Sequence, residues 1–124
     1  MLLCDTNIFI GVYRNNPEIE NKLKGIGIDN LAISDVTKAE LLIGAKNKVE
    51  LNAIHKHLKT LFTLHITSEI SELAVDLVDE YCLSHKLLLP DALIAATAIC
   101  FDIDLFTLNL KDFKFIPNIK LYHF

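Results

Sequence analysis

The sequence lacks tryptophan altogether and has only four glycines, three prolines and three cysteines in 124 residues. So little glycine and proline excludes collagen-like and low-complexity structure. With 52% hydrophobic and 23% charged residues, the composition is that of a packed globular protein and not of a disordered chain. The length suffices for one hydrophobic core, and no internal repeat or linker is visible. We therefore predict a single domain over residues 1–124.

Long hydrophobic runs are also absent. The longest uncharged stretch, Ala92 to Phe101, has ten residues, whereas a membrane-spanning helix needs about twenty. The first four residues contain no basic side chain and are followed at once by Asp5, which is unlike a secretory signal peptide. The three cysteines cannot all pair, and none forms a C-x-x-C motif. We expect a soluble cytoplasmic protein without membrane association, containing three reduced, buried thiols: Cys4, Cys82 and Cys100.

An excess of basic charge is missing as well, since 12 basic and 16 acidic residues give a net charge of −4. Residues 67–86 account for all of it, and the remainder of the chain is neutral. In this segment the acids recur at helical spacing with apolar residues between them, which predicts an amphipathic helix with a solvated acidic face. These acids are Glu69, Glu72, Asp76, Asp79 and Glu80.

Short apolar runs alternate with helical patterns along the chain. The runs predict strands over residues 2–4, 31–33, 62–66, 104–107 and 119–122. Capping residues and Pro17 predict helices after Asp5, from Pro17 to about Gly25, after Ser34, over 50–59, over the acidic segment and over 92–100. Because strands alternate with helices, we predict a three-layer α/β/α sandwich with a mostly parallel sheet.

Acidic and amide side chains follow several of the predicted strands. Asp5 comes directly after the first strand, and Glu40 lies in the helix after the second. Asp91 opens the helix before the fourth strand, which Asn109 and Asp112 follow. Ligands bind at the carboxyl ends of strands in open α/β sheets, and convergent carboxylates repel one another unless a cation neutralises them. Oxygen ligands of this kind suit Mg²⁺ or Mn²⁺, so the sequence predicts a divalent-metal site at this edge.

Two of these acids lie inside apolar stretches, where a purely structural helix would carry leucine or alanine. Glu40 is embedded in residues 39–44, and Asp91 lies between two apolar runs. A carboxylate in such a position needs a partner. An acid at a strand end or helix start is also a common capping residue, so the pattern is an argument for a site only when the acids are taken together.

Four sequence blocks, in this order and spacing, resemble the PIN domain as found in VapC-type toxins. They are Leu3-Cys4-Asp5-Thr6-Asn7, Ser34-x-x-Thr37-x-x-Glu40-Leu41, Pro90-Asp91-Ala92-Leu93-Ile94-Ala95-Ala96-Thr97-Ala98 and Thr107-Leu108-Asn109-Leu110-Lys111-Asp112-Phe113. The resemblance runs from Leu2 to Leu121. It implies a divalent-metal endoribonuclease, usually dimeric, that is inhibited by an antitoxin encoded beside it. Its acidic residues correspond here to Asp5, Glu40 and Asp91.

The chemistry of the residues agrees with that implication. Carboxylates hold one or two divalent ions, which activate a water and stabilise charge on the phosphate during an in-line displacement. Thr6, Asn7 and Thr37 either orient ligands and waters or act as ordinary caps and helix-face polar residues.

One position departs from the family pattern. Many PIN domains carry an acid two residues after the threonine that ends the fourth strand, and here that residue is Asn109. Either its amide oxygen is the ligand, or Asp112 supplies the fourth charge one helical turn later. The alternative for Asp112 is a cap before Phe113. We favour Asp112, acting through a water, with Asn109 in support.

The acidic total does not exclude an RNA substrate. Without the acidic segment and the four candidate site acids, the remaining chain carries +4. Arg14, Lys38 and Lys46 flank the elements that carry Asp5 and Glu40, so they either line a groove for the RNA backbone or are ordinary solvated side chains.

Two other functions fit the sequence less well. An RNA-binding PIN-like module without cleavage is expected to lack one of the core acids, and all three are present. A receiver-type phospho-acceptor domain needs adjacent acids after the first strand and a lysine at the end of the fifth; here Thr6 and Asn7 follow Asp5, and Lys120 lies within the predicted strand. The prediction is therefore an endoribonuclease toxin.

The partners predicted are an RNA substrate, a cognate antitoxin that covers the acidic groove, and a second copy of the chain. The first two helices carry more apolar residues than one core face is expected to absorb. We predict a homodimer through a surface that includes Ile8, Phe9, Val12, Tyr13, Ile19 and Leu23.

Overall fold

The computed structural model describes residues 1–123. Within them, one sheet has the strand order β3-β2-β1-β4, and every pairing is parallel. In the register, Leu2 lies opposite Leu31 on one side and opposite Asp104 on the other. The predicted parallel sheet is confirmed. The strands are β1 (Leu2–Cys4), β2 (Leu31–Ser34), β3 (Phe62–Leu64) and β4 (Asp104–Phe106).

Six α-helices flank this sheet in the part of the chain that the structure describes. They are α1 (Thr6–Tyr13), α2 (Pro17–Ile26), α3 (Asp35–Ile43), α4 (Lys48–Leu58), α5 (Ser68–Tyr81) and α6 (Leu89–Cys100). Five of them begin after a residue whose side-chain oxygen accepts a backbone N–H of the first turn. Asp5 and Ser34 therefore cap α1 and α3 as predicted.

Side chains alternate between the two faces of the sheet, as the strand repeat requires. Leu3, Ala32 and Leu105 pack against α5 and α6. Their neighbours Cys4, Ile33 and Phe106 join the core formed with α1 to α4. Two cores thus lie on opposite faces of one sheet, and the predicted three-layer arrangement is confirmed.

The predicted acidic face of α5 is also confirmed. All five acids are exposed, while Ile70, Ala74 and Leu77 on the other side of the helix are buried. No helix in residues 1–123 is long and apolar enough to span a membrane.

The fifth predicted strand, residues 119–122, is reduced to a single parallel bridge between Leu121 and Leu105. The Leu105 N–H donates to the Lys120 carbonyl at 2.8 Å, and the Tyr122 N–H donates to the Leu105 carbonyl at 2.9 Å. Asn118, just before this segment, has a φ of 67°, so the chain turns immediately before the predicted strand. The predicted strand is therefore wrong in extent.

Burial of the cysteines differs from the prediction. Cys4 is fully buried and Cys100 is half-buried, but Cys82 is exposed. Cys82 follows the last residue of α5, where the chain leaves the apolar stripe of the helix. The apolar residues next to Cys82 in the sequence did not show whether its thiol faces the core or the solvent.

The apolar residues of α1 and α2 are mostly internal, contrary to the prediction of a surplus apolar surface. Ile8, Phe9 and Ile19 are 0–2% exposed, and Val12 and Leu23 pack against the same core. Gly11 of α1 leaves space for the end of the Ile19 side chain of α2, since a Cβ at residue 11 would meet Ile19 Cδ1. Of the six residues in the predicted surface, Tyr13 alone is exposed, at 38%.

Candidate active site

Asp5 lies at the carboxyl end of β1, in the crevice between β1 and β4. After β1 the chain continues to β2 on one side, whereas β4 lies on the other side of β1. The crevice between β1 and β4 is therefore the position at which open α/β sheets bind ligands. Asp5 is 6% exposed. Its Oδ1 accepts the Thr6 N–H at 2.7 Å, and its Oδ2 accepts the Thr107 hydroxyl at 2.8 Å. Both carboxylate oxygens are therefore fixed by the protein.

Glu40, in the second turn of α3, is exposed and is held by Thr6. The Thr6 hydroxyl donates to Glu40 Oε1 at 2.7 Å. The same hydroxyl lies 3.3 Å from the buried Thr37 hydroxyl. Thr6 and Thr37 thus stand beside a candidate acid, while the Thr37 N–H also takes part in the Ser34 cap.

Asn7 joins the start of α1 to the segment after β4. Its side-chain nitrogen donates to Asp5 Oδ2 at 3.4 Å and to Thr107 Oγ1 at 3.3 Å. Its side-chain oxygen accepts the Leu108 N–H at 3.2 Å. Asn7 is therefore a positioning residue for Asp5 and for the chain that leads to Asn109.

The four predicted acids lie within electrostatic range of one another. Burial, together with the smaller effects of the charges on Asp5, Asp112 and Glu40, raises the pKa of Asp91 to about 6. Burial also raises the pKa of Asp5; hydrogen bonds from Thr107 and Thr6 oppose that shift, and the charges of Glu40 and Asp112 add to it. The charged groups acting on Asp91 are thus all carboxylates.

The segment after β4 makes the turn that the sequence suggested. Residues Leu110–Asp112 form a short 3₁₀ helix, and the Asp112 N–H donates to the Asn109 carbonyl at 3.0 Å. The Asn109 N–H donates to Thr107 Oγ1 at 3.0 Å. Both side chains are exposed, and the charge of Asp112 acts on Asp5 and on Asp91.

The donor set fits a hard divalent cation. It consists of carboxylates, and the charges that act on Asp91 include no basic side chain. Such a cluster of like charges favours the binding of a cation that neutralises it. Within residues 1–123, no three acidic, histidine or cysteine side chains stand close enough to surround an ion directly. Mg²⁺ usually takes only one or two carboxylates and completes its shell with waters and substrate phosphate, so Asp5, Asp91, Glu40 and Asp112 fit such a site.

The raised pKa of Asp91 predicts a pH dependence of stability in the metal-free protein. Between pH 3.8 and about 6 the folded state binds more protons than the unfolded state, so the free energy of unfolding decreases as pH rises through this range. The full shift corresponds to about 3 kcal/mol, and solvent screening of a half-buried group reduces the effect to about 1–2 kcal/mol. Urea denaturation in EDTA at pH 4 to 7 measures it. Asp91→Asn should flatten the curve; an unchanged slope would assign the titration to another group.

Thr107 is the site residue that sequence reasoning left without a role. It is 3% exposed, donates to Asp5 and receives hydrogen bonds from Asn7 and the Asn109 backbone. One signal was present in the sequence: a threonine directly after β4, the neighbour of the strand that Asp5 follows.

Thr107→Val should weaken divalent-metal affinity about 10- to 100-fold, the usual cost of losing a group that orients a ligand. Valine matches threonine in shape but leaves Asp5 Oδ2 without its shortest donor. Titration calorimetry with Mn²⁺ measures the affinity, and Thr60→Val, at an exposed threonine after α4, is the matched control. Equal affinities in the two variants would show that Thr107 does not support the metal site.

The candidate RNA-binding residues lie at different distances from the acids. Arg14 follows the last residue of α1, about 14 Å along that helix from Asp5. Lys38 is on α3 with Glu40, and exposed Lys46 lies in the turn after α3. Their role in RNA binding stays a prediction.

Comparison with known proteins agrees with this geometry. The PIN domain family profile matches residues 2–117. Ribonuclease VapC19 of Mycobacterium tuberculosis is 32% identical over 97% of this chain and 98% of its own length. Ribonuclease VapC of Rickettsia bellii is 33% identical over 97% of this chain and 93% of its own.

Solved structures show the same similarity. A toxin–antitoxin complex from Klebsiella pneumoniae contains a chain that is 34% identical, with a TM-score of 0.81 and full coverage of both chains. VapBC2 from Rickettsia felis, bound to a DNA fragment from its promoter, is 27% identical with a TM-score of 0.81, covering 99% of this chain and 98% of that one. This chain therefore belongs to the PIN domain family and, within it, to the VapC ribonucleases.

Proposed function

We propose that this protein is the toxin of a type II toxin–antitoxin pair, an endoribonuclease that hydrolyses RNA phosphodiester bonds with Mg²⁺ or Mn²⁺. The observation that carries this proposal is the electrostatic coupling of Asp91 to Asp5, Asp112 and Glu40, whose charges add to the effect of burial in raising the pKa of Asp91. The relatives named ribonuclease VapC support the same activity.

Three of the four acids differ in what holds them and in their charge state, and each suits a different part in the proposed reaction. Asp5 is a rigid metal ligand, because the Thr6 N–H and the Thr107 hydroxyl fix both of its oxygens. Glu40 is oriented by the Thr6 hydroxyl. Asp91, with a pKa of about 6, is ionised at neutral pH and then binds cations. When bound, the ion supplies an activated water and neutralises charge on the phosphate.

RNA cleavage tests the proposal directly. Purified protein is incubated with total RNA and Mn²⁺, and the new 5′ ends are mapped across all transcripts. We expect a small set of recurrent ends that are absent when EDTA is added. A chain that is folded by circular dichroism but produces no new ends with either metal would contradict the proposed activity.

The fourth ligand position is tested by two alanine variants. We expect Asp112→Ala to weaken Mn²⁺ affinity and cleavage about tenfold, because an ionised group contributes more than a neutral amide to a divalent site. Asn109→Ala should lose less, since its backbone N–H still donates to Thr107. Calorimetry and single-turnover cleavage give both values. The reverse order of effects would assign the ligand position to Asn109 and leave Asp112 a structural residue.

The proposed partners are the RNA substrate, a cognate antitoxin that covers the acidic groove, and a second copy of this chain. Solved relatives are toxin–antitoxin complexes, which supports the antitoxin as a partner.

Ile43 and Val49, on either side of the turn between α3 and α4, are 81% and 79% exposed, and apolar side chains of this kind mark protein contacts when they cluster. Arg14, Lys38 and Lys46 contact the RNA backbone in this proposal. Sedimentation at micromolar concentration, alone and with the antitoxin, tests the assembly.

A further inference from the structure

Three aromatic rings contact one another on the surface near the start of α6. The rings of His85 and Phe115 are stacked, with centroids 4.0 Å apart and planes 14° from parallel. Tyr81 lies against both, at 5.7 Å from His85 and 5.1 Å from Phe115. We call Tyr81, His85 and Phe115 the aromatic cluster.

The aromatic cluster is at the same end of the molecule as the acidic site. Helices α5 and α6 run antiparallel, since the charge of Glu69 at the start of α5 acts on the thiol of Cys100 at the end of α6. The Leu87 N–H donates to the Tyr81 carbonyl at 3.4 Å, so the end of α5 lies beside the start of α6. Asp91 is in the first turn of α6.

The Phe115 side of the aromatic cluster is also close in sequence to a candidate site acid. Phe115 follows Asp112 by three residues, and the intervening Phe113 is buried in the core against α5 and α6. The cluster is therefore formed by two segments, each of which carries one of the four candidate acids a few residues away.

The surroundings of the cluster suit RNA. His85 is exposed, while Tyr81 and Phe115 are half-buried, so one ring of the stack stands at the surface. Lys86 adjoins His85, and Lys111 and Lys114 precede Phe115; all three lysines are exposed. Negative charge is present as well, from Glu80 beside Tyr81 and from Asp112 three residues before Phe115, so the positive charge near the aromatic cluster is that of the three lysines. Aromatic rings flanked by cations bind single-stranded nucleic acid by base stacking and phosphate contacts.

We propose that an unpaired base of the RNA stacks on the outer face of His85 and extends the His85–Phe115 stack, while Lys86, Lys111 and Lys114 contact the adjoining phosphates. This inference rests on the proposed function and assigns it a base-stacking position outside the acidic site. Bases in a duplex are already stacked on their neighbours, so the base that stacks on His85 is an unpaired one.

Binding to RNA that contains 2-aminopurine tests the stack, because stacking quenches the fluorescence of this base. The protein carries Asp5→Asn so that the RNA stays intact. We expect His85→Ala to weaken binding of a single-stranded oligonucleotide about tenfold and to reduce the quenching. His85→Phe, which keeps a ring, should bind within about twofold of the parent. Exposed His55 on α4 provides the matched control, His55→Ala. A blunt RNA duplex should bind all four proteins equally.

A folded His85→Ala protein that binds and quenches like the parent would overturn the stack, as would an equal loss on single-stranded and duplex RNA. The proposed function is judged separately, from cleavage by the unmutated chain, because this binding assay requires no cleavage. If His85→Ala does not fold, photocrosslinking of RNA containing 5-iodouridine to the Asp5→Asn protein decides. Crosslinks within residues 81–86 or 113–115 support the proposal, and crosslinks found only elsewhere refute it.

Discussion

Asp5→Asn should lower kcat/KM for RNA cleavage by about a thousandfold or more, since the charge stabilisation that a metal ion supplies is worth several kcal/mol. Asparagine has nearly the same shape as aspartate and is an equally good N-cap, so the Thr6 N–H keeps its acceptor at the start of α1. The variant should therefore fold, and its metal-free form should be about as stable as the parent, because the removal of one of four repelling carboxylates offsets the loss of the Oδ2 acceptor of the Thr107 hydroxyl. Single-turnover cleavage and thermal melting in EDTA measure the two quantities.

Asp76→Asn is the matched control for this substitution. Asp76 lies on the exposed face of α5, and its replacement removes the same charge without touching the acidic site. The control should cleave at the parental rate. Parental cleavage by Asp5→Asn itself would contradict the assignment of Asp5 as a metal ligand and with it the proposed mechanism.

Removing divalent metal should abolish cleavage, and restoring it should raise the melting temperature. An ion that binds only the folded state stabilises it by about 2.7 kcal/mol at a hundredfold excess over Kd, which corresponds to a Tm increase of roughly 10 °C for a chain of this size. The physical reason is the repulsion among Asp5, Glu40, Asp91 and Asp112, which the ion neutralises. Scanning calorimetry with EDTA, Mg²⁺ and Mn²⁺ gives the shift for each metal.

Asp91→Asn should shrink that increase, and Asp76→Asn should leave it unchanged. Cleavage that persists in EDTA, together with a Tm that Mn²⁺ does not move, would argue against any metal at this site. Equal shifts in the parent and in Asp91→Asn would place the ion away from Asp91 and leave its raised pKa a consequence of burial alone.

The fold follows from local sequence to a large extent. Short apolar runs predicted all four strands, because the alternation of side chains and the burial of both strand faces are visible in a few consecutive residues. Asp5, Asn16 and Ser34 cap the helices that follow them through side-chain contacts within three residues, which makes helix starts readable from sequence. The acidic face of α5 was equally evident, since helical periodicity depends only on neighbours three and four positions apart.

Features that depend on residues far apart in the chain were settled only by the tertiary structure. Thr107 donates to Asp5 across 102 positions because β1 and β4 pair side by side, and no local pattern encodes that contact. The same holds for the single bridge at Leu121, for the exposure of Cys82 and for the stack of Phe115 on His85.

The sequence by itself therefore determined the four strands and six helices and predicted the acids of the site, because caps, periodicity and strand ends are local. Tertiary structure alone decided which polar groups hydrogen-bond to those acids. It also decided that α2 packs against the apolar side of α1, with Ile19 next to Gly11. Hydrogen-bond partners and burial depend on which surfaces the chain brings together, and that is a property of the whole fold.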